Sequence, residues 1–346
     1  MKAHSKLSTL AIVGIIMASG AWGSTPAFAA EEVEELILEE VILEEVIISA
    51  RRRDEKLMDV PDAITVISKA DMDLLVLDSM ADYLRQIPGT ILVNGGPEYL
   101  SDISMRGQGG GRLGFSESAT GIYRNGSYIA GGGFGGRSLS RMDFFDMESL
   151  QAYRGPQGAL YGRNAVGGAV NVISKRPSDT SEGWAKIGYD SFERTLLEAV
   201  INVPANDKFA VRFGGYYLDQ DDGFITDINT GATLDRNNQK GVRIAAEARP
   251  TDAFTINLTV EYRESEVASF SSLGFRAFRT DGVPLDPGKF ERDVSTDGRA
   301  EIEESTIFLG MLWQTAIGEL HADFNVKNRD GNRIADDFDH FIGFQN

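Results

Sequence analysis

Between Phe254 and Arg263 apolar and polar side chains alternate without a break. Phe254, Ile256, Leu258, Val260 and Tyr262 fall on one face, and Thr255, Asn257, Thr259, Glu261 and Arg263 on the other. A period of two places successive side chains on opposite sides of an extended chain, so this is a strand with one apolar and one polar face. Phe209, Val211, Phe213 and Tyr217 likewise oppose Lys208, Arg212 and Tyr216, and Val242, Ile244, Ala246 and Ala248 oppose Arg243, Glu247 and Arg249. Leu320, Ala322, Phe324 and Val326 oppose His321, Asp323, Asn325 and Lys327. Residues 178–346 hold about seven such strands at the ~10 residues each that a tilted bilayer crossing requires.

The connections indicate which face meets what. Pro204 to Asp207, Pro250 to Asp252 and Ile317-Gly318 are short turns, whereas Gly223 to Gln239 and Ala268 to Ala300 are long loops rich in Gly, Asp and Arg, and the two kinds alternate. Outer-membrane barrels have short turns on one side and long loops on the other, with apolar residues toward lipid. A soluble sandwich would share the alternation but need not segregate its loops. No stretch after the first thirty residues approaches the ~18 consecutive apolar residues of a spanning helix, so a membrane-embedded form of this chain must be a barrel.

Upstream, residues 56–177 have a different texture of short mixed elements. Ala63 to Ile67 reads as a strand, and Ser68-x-x-Asp71 forms a capping box before Leu74, Leu75 and Leu77. A second short helix, Ser79 to Ile87, stops at Pro88-Gly89, and strands follow at Thr90–Val93 and Asp102–Met105. Asn125-Gly126 lies between Ile122-Tyr123 and Tyr128-Ile129 as a two-residue hairpin turn. Twenty of the 38 glycines fall between Gly89 and Gly168, which marks tight turns and close backbone contacts.

The chain opens with Lys2 and Lys6, an apolar run from Leu7 to Met17, and Ala27-Phe28-Ala29. That is a cleavable export signal over 1–29, with cleavage expected after Ala29. Its removal takes the formal charge from −18 to −20, because it holds two Lys and no acid. So acidic a chain is a poor nucleic-acid binder. Cysteine is absent, which removes disulfides and thiolate chemistry, and only His321 and His340 remain after the signal, too few for a multi-histidine metal site. Residues 30–55 form an acidic tether, with eight Glu between Glu31 and Glu45 in a repeat of five: Glu34-Glu35-Leu36-Ile37-Leu38, Glu39-Glu40-Val41-Ile42-Leu43, Glu44-Glu45-Val46-Ile47-Ile48. A period of five suits neither helix nor strand, but each β-branched triplet can add to the edge of a partner's sheet.

Enzyme motifs do not survive inspection. Gly109-x-Gly111-x-x-Gly114 has no helical pattern after it to receive a phosphate, and Gly131-x-x-x-x-Gly136-Arg137-Ser138 has Arg in place of the phosphate-contacting Lys. Gly114-x-Ser116-x-Ser118 lacks the last glycine of a nucleophile elbow, and no histidine lies in the same region. Neither acid–base nor nucleophilic catalysis is expected, and no cofactor.

The informative stretch runs from Asp146 to Pro177, DMESLQAYRGPQGALYGRNAVGGAVNVISKRP. It reads as a strand ending at Arg154, a turn at Gly155-Pro156, a turn-rich segment with Gly158 and Gly162, and a last strand Ala169 to Ser174. This run resembles the plug signature of TonB-dependent outer-membrane receptors. Ser104-Met105-Arg106-Gly107 and Tyr123-Arg124-Asn125-Gly126-Ser127-Tyr128 are similar to two further elements of that family. Glu44 to Arg51 resembles its TonB box, and Val60 to Ile67 resembles the plug's opening strand.

The resemblance implies an α+β plug domain at 56–177, followed over 178–346 by the first strands of an incomplete antiparallel transmembrane β-barrel. It implies a nutrient receptor of the Gram-negative outer membrane, for cargo such as a ferric siderophore, powered by TonB with ExbB and ExbD behind it. Glu45, Val46, Ile47, Ile48, Ser49 and Ala50 would contact TonB. Arg106, Gly107, Arg154, Gly155, Pro156, Gly158 and Gly162 would hold the plug's fold, and Gln108, Arg112, Phe115, Phe134 and Arg137 on its glycine loops would face substrate. Family barrels have 22 strands, so a truncated or split receptor is expected, not competent alone. The rival expectation is an exported plug-like binding or interaction protein without transport.

Overall fold

The computed structural model describes residues 47–50, 53–56, 63–77, 79–93, 102–109, 118–129, 140–190, 192–228, 230–268, 291–292 and 299–334. The expected export signal and the first two acidic pentads lie outside them.

The chain begins with a hairpin, β1 (Ile47–Ala50) against β2 (Arg53–Lys56), with Ile47 opposite Lys56 and Ala50 opposite Arg53. An amino-terminal domain follows: β3 (Ile64–Ser68), α1 (Lys69–Leu74), α2 (Met80–Arg85), β4 (Thr90–Val93), β5 (Asp102–Met105), β6 (Thr120–Arg124), β7 (Ser127–Tyr128), α3 (Arg141–Phe144), β8 (Met147–Arg154), α4 (Gly158–Tyr161) and β9 (Gly168–Ser174). Serine side chains start three of these helices. Asp71 and Asp82 close the capping boxes on Ser68 and Ser79, and the Asp143 carboxylate accepts from the N–H and Oγ of Ser140. The third box and its one-turn helix were not foreseen, nor was α4, where the sequence suggested only turns.

Five strands form a mixed sheet in the order β3-β8-β9-β6-β7, with β6 and β9 parallel and the other pairs antiparallel, while β4 and β5 pair separately. The core lies between this sheet and the helices: Met72, Leu84, Ile87, Ile103, Leu150 and Val170 are all buried. At about 1.5–3 kcal/mol per fully buried large apolar side chain, this cluster is the main stabilising element of the domain.

The second unit is a meander. β10 (Glu182–Tyr189), β11 (Thr195–Asn206), β12 (Phe209–Asp219), β14 (Asn237–Thr251), β15 (Phe254–Ala268), β17 (Arg299–Thr315) and β18 (Gly318–Ile334) pair antiparallel with their sequence neighbours in one seven-stranded sheet. Two short segments in the long loops, β13 (Thr226–Asp227) and β16 (Glu291–Arg292), pair in parallel. The sheet is open: among the described residues β10 and β18 each have one strand neighbour.

Which face is covered is the reverse of a soluble sheet. Glu198, Arg212, Arg243, Glu261, Arg263 and Glu304 are buried on the inner face, while Ile201, Phe213, Ile244, Leu258, Val260 and Ile307 are exposed on the outer one. Along β15 the outer apolar face runs from Phe254 to Tyr262, about 26 Å at ~3.3 Å per residue. It ends at Glu264, which pairs with Lys240 of the neighbouring strand at 2.6 Å. At the ~35–45° tilt of barrel strands that length spans about 20 Å across the membrane, most of the ~25 Å apolar belt of an outer-membrane barrel.

Candidate functional site

The amino-terminal domain rests on the inner face of the meander, and the contact is largely ionic. Its centre is α3. Two inner-face glycines make room for it: a Cβ at Gly241 would stand 2.6 Å from Met142 Cε, and one at Gly214 would stand 2.8 Å from Phe145 Cε1. Glycine inside a strand marks such a close approach. Phe145 then packs on Tyr216 and Trp184, with ring centroids 5.7 and 6.2 Å away.

Around that contact the charges pair. Arg124, at the end of β6, donates to Glu261 Oε2 at 2.5 Å and to the Met142 carbonyl at 3.3 Å, and its Nη1 lies 3.6 Å from Asp143 Oδ1. Its guanidinium also stacks on Phe308 of β17, 4.5 Å from the ring centroid. Arg243 donates to the other oxygen of Glu261 at 2.6 Å and to the carbonyls of Phe145 and Met142 at 2.5 and 2.8 Å. Arg124 is 1% exposed, Asp143 2% and Glu261 4%. Isolated charges so deep would cost several kcal/mol each in lost hydration, so the arrangement holds only because each has partners.

Two further groups flank this one. Arg212 grips the Asp146 carboxylate with two bonds, 2.6 and 2.8 Å, and reaches Glu182 at 2.9 Å. Arg141 Nε donates to Glu198 at 2.9 Å. On the far side Glu304 receives Arg263, Lys327 and Arg329, and Lys327 also reaches the Ile129 carbonyl.

Burial by itself would raise the Asp143 carboxyl, but Lys327, Arg124 and Arg263 together hold it below its ordinary value. The sign follows from linkage: a depressed folded-state pKa contributes stability that is complete above the unfolded value near ~3.9 and is lost as pH falls through the folded one. Protease protection of the amino-terminal domain in membranes should therefore stay flat from neutral pH down to about 4 and decline only below it. A decline already complete by pH ~5 would show that this carboxylate is not held by cations.

The residues singled out from sequence lie elsewhere. Arg106 and Gly107 form the turn after β5, with φ of 53° and 75°, and the Arg106 N–H donates to the Gly89 carbonyl at 2.9 Å. Gly155 faces them: its φ is 111°, and a Cβ there would stand 2.9 Å from Arg106 Nη1. Gln108 lies against Gly167, where an added Cβ would stand 3.0 Å from the Gln108 Cβ. Arg154 ends β8 and Pro156 follows Gly155, while Gly158 opens α4 and Gly162 closes it with φ 79°. Ile47 to Ala50 form β1. Glu45, Val46, Arg112, Phe115, Phe134 and Arg137 lie outside the described residues.

The sequence reading did not single out Asp143, Arg243 or Glu261 as functional. For Arg243 and Glu261 the signal was present, charges at inward positions of strands whose outer face is apolar, interrupted by Gly214 and Gly241; Asp143, in the one-turn helix α3, had no such pattern.

A family model, the TonB-dependent receptor plug domain, matches residues 56–169. The chain carries a TonB-dependent receptor plug. The vitamin B12 transporter BtuB of Photobacterium profundum is 22% identical over 272 residues, which cover 65% of this chain and 43% of that protein. Two solved structures share the fold. The ferripyoverdine receptor of Pseudomonas aeruginosa bound to ferripyoverdine has a TM-score of 0.65 at 18% identity, covering 83% of this chain and 37% of its own. The ferric yersiniabactin uptake receptor FyuA of Yersinia pestis has a TM-score of 0.64 at 20% identity, covering 79% and 41%. The chain thus spans less than half the length of these relatives. The resemblance to the receptor family and the fold class, a plug followed by an unclosed antiparallel sheet, are both borne out. The seam described above lies between that plug and its strand wall.

Proposed function

We propose that this chain acts in the Gram-negative outer membrane as the plug and first wall strands of a receptor for a scarce nutrient such as a ferric siderophore, with TonB as its energy-coupling partner. The inverted wall carries this reading. Its apolar face is turned outward as lipid requires, and its charged face is turned inward against the plug.

The chemistry of the seam suits a stopper that must move. Separating two apolar surfaces exposes area to water at about 25 cal/mol per Å² with nothing regained. Separating ion pairs returns each charge to water and recovers hydration lost on closure, so a charged seam can be stable when shut yet open under load. The plug is the moving part, the wall holds it, and TonB supplies the pull through β1.

In the structure β1 uses one edge to pair with β2, and a strand from TonB would add to its other edge. Proline at position 47 removes a ladder donor. The Ile47→Pro variant should lose TonB crosslinking by about tenfold or more while ligand binding at the cell surface is retained. Unchanged crosslinking would move the assignment to Leu36–Leu38 or Val41–Leu43.

A further inference from the structure

The connector from plug to wall, residues 175–181, is bound along its length by wall side chains. Asn202 of β11 is 1% exposed and makes a fork around it. The Ser178 N–H donates to Asn202 Oδ1 at 3.1 Å, and Asn202 Nδ2 donates to the carbonyls of Ser178 and Thr180 at 2.8 and 2.7 Å. A carboxamide, with one acceptor and two donors, is the side chain that can satisfy an N–H and two carbonyls at once.

One residue further on, Arg249 of β14 donates twice to the Asp179 carboxylate, at 2.6 and 3.0 Å, and is itself oriented by Glu247 at 2.9 Å. The ends of the connector are tied as well. The Lys175 N–H donates to the Asp146 carbonyl at 3.0 Å, and Arg212 bridges the Asp146 and Glu182 carboxylates. At the amino-terminal side of the plug's own sheet, β3 has one strand neighbour among the described residues, β8.

We propose that Asn202 and Arg249 are positioning residues that clamp the plug-to-wall connector, making the carboxy-terminal end of the plug its stationary end while the amino-terminal end is drawn away. The motion it constrains rests on the transport reading above. The clamp itself does not.

The connector contains a trypsin site, the bond after Lys175, with Arg176 exposed beside it. In outer membranes from cells expressing the full chain, that bond should be cut about tenfold faster in the Asn202→Leu/Arg249→Ala double variant than in the parent, with β8 and β9 still protected. Because a change at buried Asn202 can disturb folding, the surface variant Asp179→Asn serves as a second measure, with cleavage raised about two- to threefold. Equal cleavage in parent and both variants overturns the clamp.

A second arm uses the absence of native cysteine. Asp179→Cys/Arg249→Cys is joined with a short bismaleimide, and ligand-dependent crosslinking to TonB is compared before and after joining. Equal crosslinking supports a stationary connector, and loss on joining overturns it. If neither sample is captured by TonB while the trypsin result holds, the transport reading fails and the clamp stands.

Discussion

Replacing Arg124 with Ala is expected to raise the rate at which protease reaches the plug by about 10²- to 10³-fold at neutral pH, the largest effect of any single seam residue. Arg124 reaches from the plug to bond Glu261, and it also lies between Asp143 and the Phe308 ring. Truncation leaves two buried carboxylates short of a cation. Breaking a buried pair in this way costs about 3–5 kcal/mol, because the remaining carboxylates stay buried with one cation fewer, and each ~1.4 kcal/mol is a factor of ten in the opened population. The control separates charge from contact: Arg124→Met keeps the packing on Phe308 but not the charge, and should be digested nearly as fast as Arg124→Ala. If Arg124→Met is instead digested as slowly as the parent, packing on Phe308 rather than the ion pair holds the plug.

The second large effect is expected at Gly168, where β9 begins. A Cβ there would overlap both the Met105 Sδ and the Tyr153 carbonyl oxygen. The sulfur can move, but the carbonyl belongs to β8, to which β9 is paired, and cannot yield without breaking the ladder. Gly168→Ala should therefore cost about 3 kcal/mol and lower the thermal midpoint of the detergent-folded chain by about 4 °C. Gly162 is the comparison, since its φ of 79° is unfavourable for an L side chain but no atom lies within 4 Å of an added Cβ. Gly162→Ala should cost only about 1–2 kcal/mol. Equal midpoints for the two variants would mean that backbone conformation, and not the overlap, governs both.

Gly162 and Gly155 were legible in the sequence because they punctuate a recognisable signature. Gly168 was not distinguished from its neighbours. The reason is physical: a sequence shows where a side chain is missing but not which atom from another strand fills the space, and Tyr153 is placed there only by the β8–β9 register.

The same division runs through the molecule. Local pattern determined the strands and their faces, because alternation along one strand needs only that strand. It also determined the caps at Ser68 and Ser79, since each box closes within four residues, and it carried the resemblance over the plug signature. Alternation by itself is symmetric to inversion; the segregation of short turns and long loops pointed to an outward apolar face, and the tertiary structure lays the plug against the charged side. It alone assembled the seam, where Arg124 meets a carboxylate 137 residues away and Arg243 meets a carbonyl 98 residues away. Such pairs depend on the register of every strand between them, and no local period encodes a register.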